Sequence, residues 1–232
     1  MGHPTPHSLP KRYDGTPVSY LLPAGETLWR VHSRRYGPAQ FNARGSDEHF
    51  GGGRFDSTPA DEYEYLYAGL SPQTALAEAF LRGLPRDDRG YRHLRAREVR
   101  GRTISAVTVE KPLFLVSLLD GPALAAVAQE PWLVTAEGAL YAQTRAVGHW
   151  IREQAEWAQG IVWQSLRDTS RPTLILFADR GAASALAPTP SRQIHLDDDA
   201  GTQWLRVALA SYRVTLRRPP SGARPATGRG AA

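Results

Sequence analysis

The stretch TLWRVHS (27–33) alternates Leu28, Arg30 and His32 with Trp29, Val31 and Ser33, the period of two that marks a strand with one apolar face. On that pattern Arg30 points away from the core side. EYLYAGL (64–70), GIVWQSL (160–166) and TLILFAD (173–179) also read as strands, and RTISAVTVEKPLFLVSL (102–118) as one or two more. SPQTALAEAFLRG (71–83) is the clearest helix: Ser71 caps it, Pro72 suits its first turn, Gly83 ends it, and Ala75, Leu76, Ala79 and Phe80 form its apolar stripe. Residues 120–159 read as helical, with TRAVGHWIREQAEWA (144–158) the best-defined helix and Trp150 and Trp157 marking its buried face. WLRVALASYRVTLR (204–217) fits a closing strand or a helix.

Short strands alternating with a few helices, without regular strand–helix units, predict an α+β fold in a single domain. No GxGxxG opens a helix after a strand and no GxxxxGK[ST] occurs, which argues against Rossmann and P-loop enzymes. Proline-rich residues 1–26 read as a flexible arm, 27–216 as the folded domain, and 217–232, rich in Arg, Pro and Gly, as a disordered tail. An apolar fraction of 41% over 232 residues supports a sizeable core. The net charge of +5 falls to about +1 without the tail's Arg217, Arg218, Arg224 and Arg229, so basicity says little about the core.

The absence of cysteine excludes disulfides and thiolate chemistry. No residue pattern points to a bound metal. No apolar run is long enough to span a membrane, and a cytoplasmic location is expected. Arginine greatly outnumbers lysine, which is present only as Lys11 and Lys111, and this bias points to a GC-rich bacterial source.

HFGGGRFDS (49–57) sets three glycines against Arg54. Such bare backbone marks either a tight turn or a floor on which exposed amides and an arginine hold an anion. Glu78 lies four residues before Arg82, the spacing of a solvated surface pair. By themselves Tyr67, Arg30 and Ser165 read as a half-buried strand residue, an exposed strand residue and a strand-end hydroxyl, with Ser170 close to the last. His49 reads as a loop histidine, and HLDDDAG (195–201) as a solvated acidic turn without the spacing of a calcium loop.

LWRV (28–31), GGGRFDS (51–57), YLYAGLSPQTALAEAF (65–80) and GIVWQSLR (160–167) together resemble the successive motifs of the RES-domain family, over about residues 27–215. The resemblance implies a fold similar to the diphtheria-toxin-like ADP-ribosyltransferases and a site that consumes NAD as substrate, with no prosthetic group. It assigns Glu78, Arg30 and Ser165 to the chemistry. Arg54, Tyr67, Gly53 and Phe55 would bind NAD: Arg54 beside the glycine amides at the pyrophosphate, and Tyr67 stacked on the nicotinamide. Asp56 departs from the family pattern, which has Asn there.

Family members split NAD by hydrolysis or by phosphorolysis with inorganic phosphate as co-substrate, and many are toxins paired with an antitoxin that carries an Xre-like helix-turn-helix. The expected partners are therefore NAD and such an antitoxin, with neither membrane nor direct nucleic-acid binding. Other functions stay open: protein ADP-ribosylation, a non-catalytic RNA- or nucleotide-binding module, and an RNase using His49, Arg54 and Glu78. The oligomeric state is not legible.

Overall fold

A computed structural model describes residues 9–217. In chain order its elements are β1 (Ser19–Leu22), β2 (Thr27–Ser33), β3 (Tyr65–Gly69), α1 (Pro72–Phe80), β4 (Arg92–Arg95), α2 (Ala96–Val99), β5 (Arg102–Thr108), β6 (Leu113–Leu118), α3 (Gly121–Ala126), α4 (Trp132–Thr135), α5 (Tyr141–Gln154), β7 (Gly160–Gln164), β8 (Pro172–Phe177), β9 (Arg192–His195), α6 (Asp199–Ala210) and β10 (Val214–Arg217). An 8-stranded sheet runs β1-β6-β7-β8-β3-β2-β5-β9, antiparallel except between β6 and β7. β4 and β10 form a separate parallel pair.

One face of the sheet carries two apolar clusters. Tyr65, Val116, Ile161, Trp163 and Ile175 pack with Val147, Trp150 and Ile151 of α5, whereas Ile104 packs with Leu76 and Phe80 of α1 and Leu205 and Leu209 of α6. On the opposite face, Leu28, Leu66, Leu115, Val162 and Leu174 share a single core that spans both halves. The halves need that shared core, because β2 and β3 are joined by one residue pair, Trp29 with Gly69. By contrast, β2 and β5 pair along their whole length.

The junction depends on Gly69. A Cβ there would lie 2.9 Å from Thr74 Cβ and 3.0 Å from Ala75 N, so its absence lets the start of α1 rest directly on the sheet. As the sequence predicts, Ser71 caps α1 by accepting a 3.0 Å bond from Thr74 N, with Pro72 in the first turn. Phe80 closes the helix, and Gly83, three residues on, takes the left-handed φ of +67°.

Several expectations change. The arm expected over residues 1–26 belongs to the fold from residue 9 onward: Tyr13 Oη donates to Ala126 O at 2.7 Å and its ring meets Trp150 edge-on, and β1 pairs with β6. Pro17 and Pro23 bracket that strand instead of preventing it, a placement that costs no ladder donor. WLRVALASYRVTLR is both alternatives in turn, the end of α6 and then β10, separated at Arg213 with φ +56°. Trp150 is buried, but Trp157 lies beyond the end of α5 and is 44% exposed. Arg217 is the last residue of β10, and the rest of the expected tail lies outside the described residues.

Candidate active site

Beyond Trp29 and Gly69 the strands β2 and β3 part, and a cavity of about 560 Å³ opens between them, beneath α1. Arg30, Gly53, Arg54, Tyr67 and Glu78 all line it, with Trp163 contributing an aromatic wall. A neighbouring hollow of about 490 Å³ continues past Arg30 and Tyr67.

Glu78 projects from α1 one turn beyond the point where the helix meets the sheet. Ser165 Oγ donates to its Oε1 at 2.6 Å, and Ser165 Oγ itself accepts from Arg167 N at 3.2 Å and Asp168 N at 3.0 Å. Ser165 is fully buried and does not line the cavity, which it meets only through Glu78; the neighbouring Ser170 is exposed. Asp168 binds Thr74 Oγ1 at 2.8 Å, which ties the start of α1 to the loop after β7. The surface pair with Arg82 exists but is loose, at 3.9 Å. The short hydroxyl–carboxylate bond is the stronger restraint.

Arg30 does not point away from the core. It shares the side of β2 that carries buried Leu28 and His32, where the gap beside β3 gives it room. Its Nη1 donates to Pro38 O at 3.0 Å and Gln40 O at 2.7 Å, while its Nε is buried without a partner. Burial pushes its pKa down to about 10, which leaves it a cation at neutral pH with a donor unspent.

The glycine run has a different partner from the one expected. Gly51 and Gly52 take left-handed φ values of +60° and +74°, and the cation against them is Arg145 of α5. Arg145 Nη1 donates to Gly51 O at 2.8 Å and Gly53 O at 3.3 Å, and Nη2 to Asp47 O at 2.8 Å and Glu48 O at 3.3 Å. It is 1% exposed. The signal in the sequence was its place on the buried stripe of α5, four residues after Tyr141.

Arg54 lines the cavity, but its terminal nitrogens donate to Leu133 O at 2.5 Å and Ala136 O at 2.9 Å, fastening α4 to the loop. Asp56 accepts from Ser46 Oγ at 2.6 Å, Gly53 N at 2.7 Å and Tyr67 Oη at 2.9 Å. The Gly53 amide is thus committed to Asp56 and is not free for a phosphate. Gly53 itself is required by close approach, since a Cβ would sit 2.5 Å from Asp56 Oδ1. Burial, reinforced by Asp56, holds the Tyr67 phenol well above its ordinary pKa, so it remains a donor. Its Oη also accepts from Phe55 N at 2.9 Å.

The Phe55 ring does not reach the cavity. It is fully buried, edge-on to Trp163 at 5.0 Å, in space left by the missing Cβ of Gly148. His49 is exposed beside Phe50 and lies outside the cavity. In the acidic turn, Asp197 accepts from Arg34 and from Gly101 N, and Asp198 caps α6. Among the described residues no group of three or more His, Cys, Asp or Glu is placed to hold a metal ion, and no helix is long and apolar enough to cross a membrane.

Compared with known families, residues 27–199 match the model of the RES domain. The chain belongs to the RES-domain family. This RES domain is similar in fold to a chain in the crystal structure of the M. tuberculosis MbcT–MbcA toxin–antitoxin complex. That similarity has a TM-score of 0.50 and 16% identity, over 81% of this chain and 92% of that one. No curated protein matches the chain. The matched span of the RES domain runs from the start of β2 to the start of α6, and includes Arg30, Glu78, Ser165 and the glycine run.

Proposed function

We propose that this RES-domain protein cleaves the nicotinamide–ribose bond of NAD and serves as the toxin of a toxin–antitoxin pair. The observation that carries the reading is the presentation of one carboxylate, Glu78, into a cavity walled by Tyr67 and Trp163, with its orientation set by buried Ser165. Breaking an N-glycosidic bond to nicotinamide releases a neutral group from a cation, so no general acid is needed. What the step requires is negative charge facing the oxocarbenium-like sugar, and Glu78 supplies it. Tyr67 and Trp163 offer aromatic faces to a flat cationic ring.

Arg30, with its unspent Nε, together with Arg82 and Arg102 on the cavity wall, favours an anionic acceptor, so phosphorolysis is preferred to hydrolysis. In this reading Ser165 positions Glu78, Arg54 shapes the wall, and the fold is of the ADP-ribosyltransferase kind. The proposed partner is an antitoxin with an Xre-like DNA-binding module, in the cytoplasm. The test is nicotinamide release from NAD by the purified chain, with and without inorganic phosphate, beside Glu78→Gln. Release that needs Glu78 and rises with phosphate is expected. No release by folded protein in either buffer would sink the reading.

A further inference from the structure

Outside the cavity, a groove of about 710 Å³ runs between the end of α1, the segment around α2 and the start of β5, sharing Glu78, Arg82 and Arg102 with the cavity wall. Four exposed arginines line it: Arg82, Arg97, Arg100 and Arg102. The guanidinium groups of Arg97, Arg100 and Arg102 have no hydrogen-bond or ion-pair partner among the described residues. The two carboxylates in the groove are already engaged, Glu78 by Ser165 and Glu98 by Arg95 N at 3.2 Å.

The arginines are also held in place. Gly101, with φ +66°, turns the chain between Arg100 and Arg102. Its carbonyl accepts from Arg34 N at 2.8 Å and its amide donates to Asp197 Oδ2 at 2.7 Å. An anchored turn that presents unpaired like charges makes a local positive potential that attracts groups of opposite sign.

We propose that this groove binds an extended acidic segment of a protein partner, whose carboxylates pair with Arg97, Arg100 and Arg102. The lining favours polypeptide over nucleic acid for two reasons. Between the arginines the groove leaves the apolar side chains of Val31, Ala79 and Leu84 accessible, which suits the alternate side chains of a strand-like peptide. No exposed aromatic side chain lines it to stack a base.

The occupant is not this chain's own termini, because residues 1–8 and 218–232 contain neither Asp nor Glu. The chain's acidic turns are spoken for: Asp87 accepts from Arg89 N and Tyr91 N, and Asp197 and Asp198 are engaged as described above. A segment seated in the groove lies across Glu78 and Arg82 at the cavity mouth, so docking would obstruct the cavity whatever reaction it runs.

The experiment measures fluorescence anisotropy of three labelled probes with the full chain at low and moderate salt. They are a peptide of alternating Glu and Leu, its Gln–Leu counterpart, and a single-stranded oligoribonucleotide of equal length. The acidic peptide is expected to bind, to weaken with salt, and to lose about tenfold or more in affinity in Arg97→Glu/Arg100→Glu, since like charges at an interface repel. Those two residues lie outside the cavity, so nicotinamide release by the variant stays at the wild-type rate. In the wild type, excess acidic peptide suppresses that release if the NAD reading holds; binding is scored separately, so the two ideas fail separately. The proposal is overturned if the acidic peptide does not bind, if the neutral peptide or the oligoribonucleotide binds as well or better, or if binding survives the double substitution.

Discussion

Ser165 Oγ and Glu78 Oε1 lie 2.6 Å apart across 87 positions of sequence, so the strand end that follows β7 decides where a carboxylate on α1 points. Ser165→Ala frees Glu78 to swing toward Arg82 and leaves Arg167 N and Asp168 N without an acceptor. Nicotinamide release should fall about 10- to 100-fold, mainly in kcat, as expected for small misplacements of a reacting group. Added to Glu78→Gln the same substitution should cost little more, because the two act as a unit. A full additional loss in the double variant would show that Ser165 does something other than hold Glu78.

Asp56 gathers three donors, from Ser46, Gly53 and Tyr67. Removing a buried acceptor strands its donors at about 1–3 kcal/mol each. Asp56→Ala should therefore be strongly destabilising in urea. Asp56→Asn keeps one acceptor oxygen and should cost less, about 1–3 kcal/mol for the donor left facing the new amide nitrogen. Equal stability losses for Ala and Asn would mean that the hydrogen bonds to Asp56 are not what holds the glycine run.

Arg145 holds the loop from Asp47 to Gly53 by four carbonyls. Arg145→Lys retains the charge but loses the planar fork that reaches several acceptors at once. The expected outcome is faster hydrogen exchange and proteolysis confined to that loop, with a raised KM for NAD. Unchanged exchange there would remove Arg145 from the account.

The strands β2, β3, β7 and β8 and the helix α1 were legible because each is a local pattern: period-two alternation for β2, runs of tyrosine or of apolar β-forming residues for β3, β7 and β8, and a Ser–Pro start with a buried stripe for the helix. Glu78 was not legible in that way: its spacing to Arg82 reads as a solvated surface pair, and only the resemblance to the RES-domain family singles it out. Nor were the roles of Arg145 and Asp56 legible, because periodicity reports which face is buried and says nothing of which backbone groups a buried polar side chain satisfies. Arg30 was misread because alternation assumes a strand fully paired on both sides, whereas β2 meets β3 at one pair. Phe55 stood in the right motif, yet its ring fills the gap left by Gly148, a long-range complementarity no local rule conveys.

Gly69 offers a test of how the sheet positions the site. An added Cβ would press on Thr74 Cβ and Ala75 N, and a backbone nitrogen cannot give way as a flexible side-chain end can. Gly69→Ala should lift the start of α1, move Glu78 relative to Tyr67, and lower kcat about tenfold or more, with a fall in melting temperature typical of overpacking. Full activity would mean that α1 can shift without carrying its carboxylate.

Stability should also fall in mild acid. His32 is buried, its Nδ1 donating to Ser33 O at 3.0 Å and its Nε2 meeting Ser105 Oγ at 2.9 Å. Burial lowers its pKa below 6.5, with Arg30 and Arg102 adding to the effect and the bond to Ser33 offsetting part of it. His149 is lowered by burial in the same way. For a histidine whose folded pKa is depressed, the unfolded chain takes up protons first as pH drops through 6.5. The stability present above that value is lost progressively until the folded form also protonates. The melting temperature should therefore fall between about pH 7.5 and pH 5.5, and the slope should flatten in His32→Gln, which keeps an acceptor for Ser105 but cannot be charged. If His32→Gln tracks the wild type across that range, His32 is not among the groups that make the fold acid-sensitive.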